Sequence, residues 1–363
     1  MTGGIVFTFP RNVALDEVIQ AVVRDRSKLI GQTILPFVEK ETQLVEWDEM
    51  DNEQGMTAVH TMGTDPKIAT RPGSKTHQYT PMPHKEEEVI KENEILNARQ
   101  LGTLGVVVNL NDYVMERFNA GVTKDWLRSE WEIWQALRGR LLIDENGVLI
   151  DETFPIQTFD VITDGVGGVA YTNLENATPL ADNDKIKLMF RNTGATAQGA
   201  KEYMNQTTLN SYLENKNTGD IRGFNEGFRA ITFDLAGLNK MNTSRGLPEI
   251  VPYDEGHEDK NGNFNLYIPD GESIIVGKRM LGQNVGDYLL TPTLHRSKGG
   301  MPAPGFFAFV TINGRGNSTG MVSVSLDELG ASGNPKVGVV HGFYGGPRLK
   351  YPKSIIRKTR ILG

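Results

Sequence analysis

Residues 62–83 read MGTDPKIATRPGSKTHQYTPMP, with neither a helical stripe nor a sustained alternation of apolar and polar side chains. Pro66, Pro72, Pro81 and Pro83 forbid a helix through it, because proline lacks the amide hydrogen and biases the preceding residue toward extended geometry. N-terminal to it, Val38, Thr42, Leu44 and Trp47 mark extended chain; C-terminal to it, HKEEEVIKENEIL begins a return rich in acid.

Further out the signals become regular. Asn12 is a plausible N-cap for a helix carrying Leu15, Val18, Ile19, Val22 and Val23, which Gly31 and Pro36 terminate. Residues 109–143 hold the strongest helical pattern. Thr123 caps it, Asp125 lies in its first turn, and Leu127, Trp131, Trp134, Leu137 and Leu141 recur at steps of four, three, three and four. Asn146-Gly147 then marks a tight hairpin turn. Residues 178–216 read as two helices, the first opened by Pro179 and the second formed by AKEYMNQTTLNSYLEN. Many short extended pieces follow, separated by Gly and Pro, and they predict antiparallel pairing. The class is α+β.

The 363 residues suggest two or three domains, and 38% hydrophobic residues suffice for a sizeable core. A net charge of −7 argues against a protein whose task is gripping nucleic acid. No apolar run is long enough to span a membrane, and the first residues lack the pattern of a secretory signal. Cysteine is absent, which excludes disulfides and thiolate chemistry.

The catalytic candidates are weak. GNSTG at 316–320 fits a nucleophile elbow, with Ser318, Asp327 and His341 in hydrolase order, but an alternating strand pattern follows where a helix is required. Asp259, Asn261 and Asn263 alternate as in a calcium loop, yet Phe264 stands where glycine is needed and Asp270 at the twelfth position. Asn261-Gly262 reads better as a turn. The six histidines show no metal-binding spacing and read as surface or loop residues, and Trp126, Trp131 and Trp134 read as core. No catalytic residue, cofactor or metal site is expected. Two charge runs remain: residues 348–363 carry six basic residues and no acid, and EEEVIKENE at 86–94 carries five acids and one Lys. Of opposite sign, they are candidates to meet within or between subunits, steering register more than supplying affinity.

Four collinear stretches carry a resemblance. They are LPFVEKETQLVEWDE with IATRPGSKTHQYTPMPHKEEEVI (35–49 and 68–90), EWEIWQALRGRLLI (130–143), VPYDEGHEDKNGNFNLYIPDGESIIVG (251–277) and GGPRLKYPKSIIRKTRIL (345–362). In that order they resemble the bacteriophage major capsid proteins of the lambda head-protein family (major capsid protein E), which has the Hong Kong 97-type shell fold. The resemblance implies an N-terminal arm (1–40), an extended loop (41–92), a peripheral domain with a long spine helix (93–176 and 330–363) and an axial domain (177–329). It implies a non-enzymatic protein of the virion capsid, assembled in the host cytoplasm as hexamers and pentamers around double-stranded DNA that is not bound by sequence. Separate scaffold, portal and decoration proteins would be its partners. An encapsulin-type bacterial compartment is the alternative use of the same fold.

The opening segment then reads as a two-stranded ribbon lying across a neighbouring subunit. Ordering about 40 free residues costs at least ~40 kcal/mol of backbone entropy, whereas a standard contact returns only ~20–25 kcal/mol. The ribbon must therefore be largely preformed by cross-strand pairing. Met62, Ile68, Arg71, Lys75, Tyr79 and Met82 are its expected contacts with the neighbour, with Glu86, Glu87 and Glu88 of the acidic run and Arg357, Lys358 and Arg360 of the basic one.

Overall fold

The computed structural model describes residues 6–8, 29–50, 74–81, 83–91, 94, 110–191, 193–215, 235–259, 261–279, 282–298, 301–312, 315–316, 323–325 and 336–363. The helix expected from Asn12 lies outside them. Contacts divide the chain into two units: Met1–Val45, Tyr79–Glu130 and Tyr288–Gly346 form the first, and Glu46–Gln78, Trp131–Asp287 and Pro347–Gly363 the second.

The first unit is built on Lys336–Leu349, a long strand that pairs antiparallel with Phe307–Ile312 and with Pro83–Lys91. The sheet continues through Gly286–Leu290 to Phe37–Glu39, these last two strands running parallel. The acidic return is thus a strand of this sheet rather than a limb of the ribbon, because its register places Ile90 opposite Val337, both buried. Over it packs the long helix Leu110–Leu137, whose Val114, Phe118, Val122 and Trp126 recur every fourth residue and are all buried. An aromatic cluster closes this core: Phe306 lies 4.4 Å from Trp126 and 4.9 Å from Phe343, and Phe37 lies 5.1 Å from Trp126.

The helix therefore begins well before Thr123. The Thr123 hydroxyl donates to the Asn119 carbonyl 2.8 Å away, a back-bond inside a continuing helix rather than a cap. Asp125 is correspondingly a buried mid-helix residue and not a first-turn acid. The helix ends at Leu137, where Gly139 takes a φ of +95°. Leu141 consequently sits in the hairpin Arg140–Glu145/Val148–Thr153. Its turn is the expected one, with Asn146 and Gly147 both at positive φ (52° and 79°).

The second unit centres on a five-stranded sheet in the order Glu249–Pro252, Ala195–Met204, Ser273–Arg279, Ile355–Thr359, Gln157–Asp160. Two of its four pairings are parallel, Glu249–Pro252 with Ala195–Met204 and Ile355–Thr359 with Gln157–Asp160, which corrects the expectation of antiparallel pairing throughout. Helices Gln206–Glu214 and Leu235–Arg245 fall between the first pair in the chain, and a parallel return needs such a crossover. Residues 200–204 were expected to open the second helix, but they end the strand Ala195–Met204, from which Ala195, Ala197 and Ala200 turn inward. The helix starts only at Asn205, whose side chain accepts from the Thr208 amide at 2.9 Å. Trp134, Tyr203 and Tyr253 pack together, with ring centroids 5.0–5.5 Å apart about Trp134. The C-terminal strand Ile355–Thr359 belongs to this sheet, between Ser273–Arg279 and Gln157–Asp160. Among the described residues no helix is long and apolar enough to cross a membrane.

Candidate assembly surfaces

The ribbon exists at its base. Val45–Met50 and Ser74–Tyr79 form an isolated two-stranded sheet, and Thr76 Oγ1 donates to Asp48 Oδ1 at 2.7 Å across it. Alternation puts Val45 and Trp47 inward, both buried. Trp47 stacks on His77 of the facing strand (centroids 5.2 Å, 13° between planes) and on Phe154, which follows the hairpin (5.9 Å, 26°). His77 Nε2 lies 3.1 Å from Glu49 and its Nδ1 3.9 Å from Glu152. Burial pushes the Glu152 carboxyl up, although His77 works the other way. The base is thus pinned to its own unit by one aromatic sandwich and one imidazole between two acids.

The expected contact residues fare differently. Met62, Ile68, Arg71 and Met82 lie outside the described residues. Lys75 is exposed on the ribbon. The Tyr79 hydroxyl covers Gly346, where a β-carbon would collide with it, so this side chain is spent within its own chain. Glu88 pairs with Arg117 at 3.0 Å, Glu86 reaches Lys124 at 3.5 Å, and Glu87 accepts from Thr311 at 3.1 Å. Arg360 pairs with Asp160, and Arg357 with Glu272. Lys358 is fully buried against Glu202, which excludes it as a contact between subunits. Each of these named charges is therefore answered by a partner inside its own unit, and a run of basic letters at a chain end gave no hint that one of them points inward.

Sequence reasoning missed the exposed apolar side chains on hairpins. Leu294 is 83% exposed and Met301 73% on Pro292–Lys298/Met301–Pro304 of the first unit. In the second unit Leu149 and Phe264 are 68% and 62% exposed. An outward-facing Leu or Phe in a short strand has the same pattern as an inward-facing one, so only the register reveals it.

Of the catalytic candidates, Ser318 and Asp327 lie outside the described residues. His341 is not on the surface: it is 2% exposed, its Nδ1 is 3.0 Å from Asp125 Oδ1, and its ring lies so close to Gly121 that a β-carbon there would clash. Burial pushes the Asp125 carboxyl up, more strongly than the hydrogen bond to His341 pulls it down. Asp259 Oδ1 accepts from the backbone amides of Asn261 (2.8 Å) and Asn263 (2.9 Å), and Gly262 adopts a φ of +82°, which makes this stretch a turn held by its own aspartate. Among the described residues no group of three His, Asp or Glu side chains is arranged to hold a metal.

Two chelated carboxylates tie the C-terminal segment down. Glu272 accepts from Arg357 (2.5 and 3.1 Å) and from Arg138 (3.1 Å), and Asp287 from Arg348 and Lys350, the latter at 2.7 Å. Burial alone would raise both carboxyls, but the facing cations outweigh it and hold both below the usual carboxylate range. A lowered folded-state value stabilises the fold above the unfolded value, and that contribution is lost as pH falls through the folded one. The thermal midpoint should therefore hold from neutrality to about pH 5 and drop below about pH 4, with Glu272→Gln starting lower and falling less. A midpoint unchanged to pH 3 in scanning calorimetry would refute this role.

This mixed helix-and-sheet architecture is that of the Hong Kong 97-type capsid fold. Two solved structures share it. A protein assigned as the capsid protein of a prophage of Escherichia coli CFT073 superposes with a TM-score of 0.59 at 11% identity, over 97% of this chain and 99% of that one. A phage-related protein from Bordetella bronchiseptica RB50 gives 0.53 at 12% identity, over 95% and 96%. Among curated proteins none matches the sequence. The model of phage major capsid protein E matches residues 12–286, and the chain belongs to that family.

Proposed function

We propose that this capsid protein is the major head protein of a tailed double-stranded DNA phage, self-assembling as hexamers and pentamers into an icosahedral shell. The family match over residues 12–286 carries the reading, and favours a phage head over an encapsulin-type compartment. Assembly takes place in the host cytoplasm with separate scaffold, portal and decoration proteins. The role is structural rather than enzymatic. DNA is enclosed and not bound by sequence, and the acidic balance of −7 suits a container that must release its contents. The ribbon base delivers the stretch between residues 50 and 74 to a neighbouring subunit, and the exposed side chains of Leu149, Phe264, Leu294 and Met301 supply apolar contacts at other edges. Negative-stain microscopy of the purified full-length chain, alone and with its scaffold, tests this. Closed shells are expected. A chain that stays monomeric across concentration and salt contradicts it, and shells that hold enzymes in place of DNA would mark a compartment.

A further inference from the structure

A histidine stands between two carboxylates at the root of the ribbon. His77 Nε2 lies 3.1 Å from Glu49 Oε2, on the facing strand, and its Nδ1 lies 3.9 Å from Glu152 Oε1, on the hairpin strand Val148–Thr153. All three side chains are largely buried. Trp47 lies flat against the imidazole, and on Phe154 as well. The other charges around the site have partners elsewhere or face solvent. Asp48 takes the Thr76 hydroxyl on the opposite face of the ribbon. Asp151 is gripped by Arg140 through two bonds of 2.7 Å. Arg348 and Lys350 both donate to Asp287, and Arg348 also gives its Nη1 to the Glu46 carbonyl at 3.1 Å. The side chains of Glu46 and Lys75 are exposed.

Both ring nitrogens of His77 therefore face acceptors, and an ionised carboxylate can only accept. A neutral imidazole has a single N–H. It serves one carboxylate while its other nitrogen turns a lone pair toward the second. Only the imidazolium donates from both sides. Loss of its proton also leaves two largely buried carboxylates facing each other across the ring with no cation between them. Burial already pushes the Glu152 carboxyl up, and His77 is what works against that. Trp47 favours the same charge state, because an aromatic face attracts a cation.

We propose that His77 is a proton-operated latch for the ribbon: charged, it clamps Val45–Met50 and Ser74–Tyr79 to the hairpin, and neutral, it releases them. An imidazole changes charge between about pH 5 and 8, so the latch works near neutrality. The sign is that of a histidine that gains anionic partners on folding. Its contribution is complete where the imidazole is protonated and is lost as pH rises. The stack of Trp47 on Phe154 carries no charge and is present in both states, so the base loosens without the second unit unfolding. The consequence for assembly rests on the shell reading above: mildly acidic solution favours subunits whose ribbons are clamped.

Hydrogen exchange of the unassembled full chain, read by mass spectrometry at about pH 6 and about pH 8 and corrected for the intrinsic rate, tests the latch directly. The amides of Val45–Met50 and Ser74–Tyr79 should be roughly tenfold better protected at the lower pH. Those of Ser273–Arg279, in the large sheet, should not change, and they report in each variant that the unit is folded. His77→Phe keeps a ring against Trp47 without the charge and should leave the ribbon poorly protected at both pH values. Glu49→Gln combined with Glu152→Gln removes the need for a cation and should give the same protection at both. In light scattering, wild-type assembly should weaken from the lower to the higher pH while that of H77F stays flat. Equal ribbon protection in the wild-type chain at the two pH values overturns the proposal, as does a pH dependence that survives in H77F. Exchange is read before assembly, so it decides the latch whether or not shells form.

Discussion

Replacing Trp47 by alanine should leave a folded, soluble chain that no longer closes into particles. Trp47 is 5% exposed and stacks on both the facing ribbon strand, through His77, and the segment after the hairpin, through Phe154. Removing a buried tryptophan costs ~3–5 kcal/mol. That cost falls on the docking of the ribbon rather than on the main cores, because Val45–Met50 pairs with Ser74–Tyr79 outside both large sheets. The docked population should fall by roughly two hundred- to five-thousand-fold. In the proposed shell every subunit contributes a ribbon, so the loss is multiplied across the particle. Trp47→Phe keeps the stack and should retain assembly. Sedimentation of both variants beside wild type provides the check; W47A particles at wild-type yield would show that the sandwich does not set the ribbon.

Trp134→Ala should act on the fold itself. Trp134 is fully buried between Tyr203 and Tyr253, and the same ~3–5 kcal/mol then comes out of the core of the second unit. For a unit of roughly 200 residues this lowers the thermal midpoint by about 6–20 °C. Trp131, half-buried three residues earlier, should cost well under half as much when changed the same way. Differential scanning calorimetry of the unassembled chain distinguishes them. Equal shifts would mean that Trp131 is as deeply buried as Trp134, against the exposure it has in the structure.

The buried face of the long helix was legible only in part: Trp134 and Leu137 are buried as expected, but Leu127 and Trp131 are half-buried, and the helix's other core positions, Val114, Phe118, Val122 and Trp126, precede the predicted stripe. The Asn146-Gly147 turn was legible for a local reason, since both residues tolerate positive φ. The start of the long helix was not. Asn119, Gly121 and Thr123 look like a boundary, and Gly121 is there because the His341 ring packs against it from a strand more than two hundred residues away. Ala195–Met204 misled in the opposite direction: alanine, lysine and glutamate favour helix, and the sheet overrode that preference by pairing the segment on both edges. The ribbon could be placed from its prolines, but not its anchor, because nothing in the spacing of Trp47 and Phe154 says that they stack. Lys358 was hidden most completely. Its neighbours Arg357 and Arg360 keep part of their side chains in solvent while Lys358 is fully buried, and only the strand register separates them.

An electron cryo-microscopy reconstruction of the assembled particle, with the chain traced between residues 50 and 74, is the most direct measurement. Trp47 should be found on Phe154 of its own subunit and the stretch beyond it laid across an adjacent copy, with Lys75 at the crossing. The account is contradicted by a trace in which that stretch folds back over its own subunit and meets no other chain.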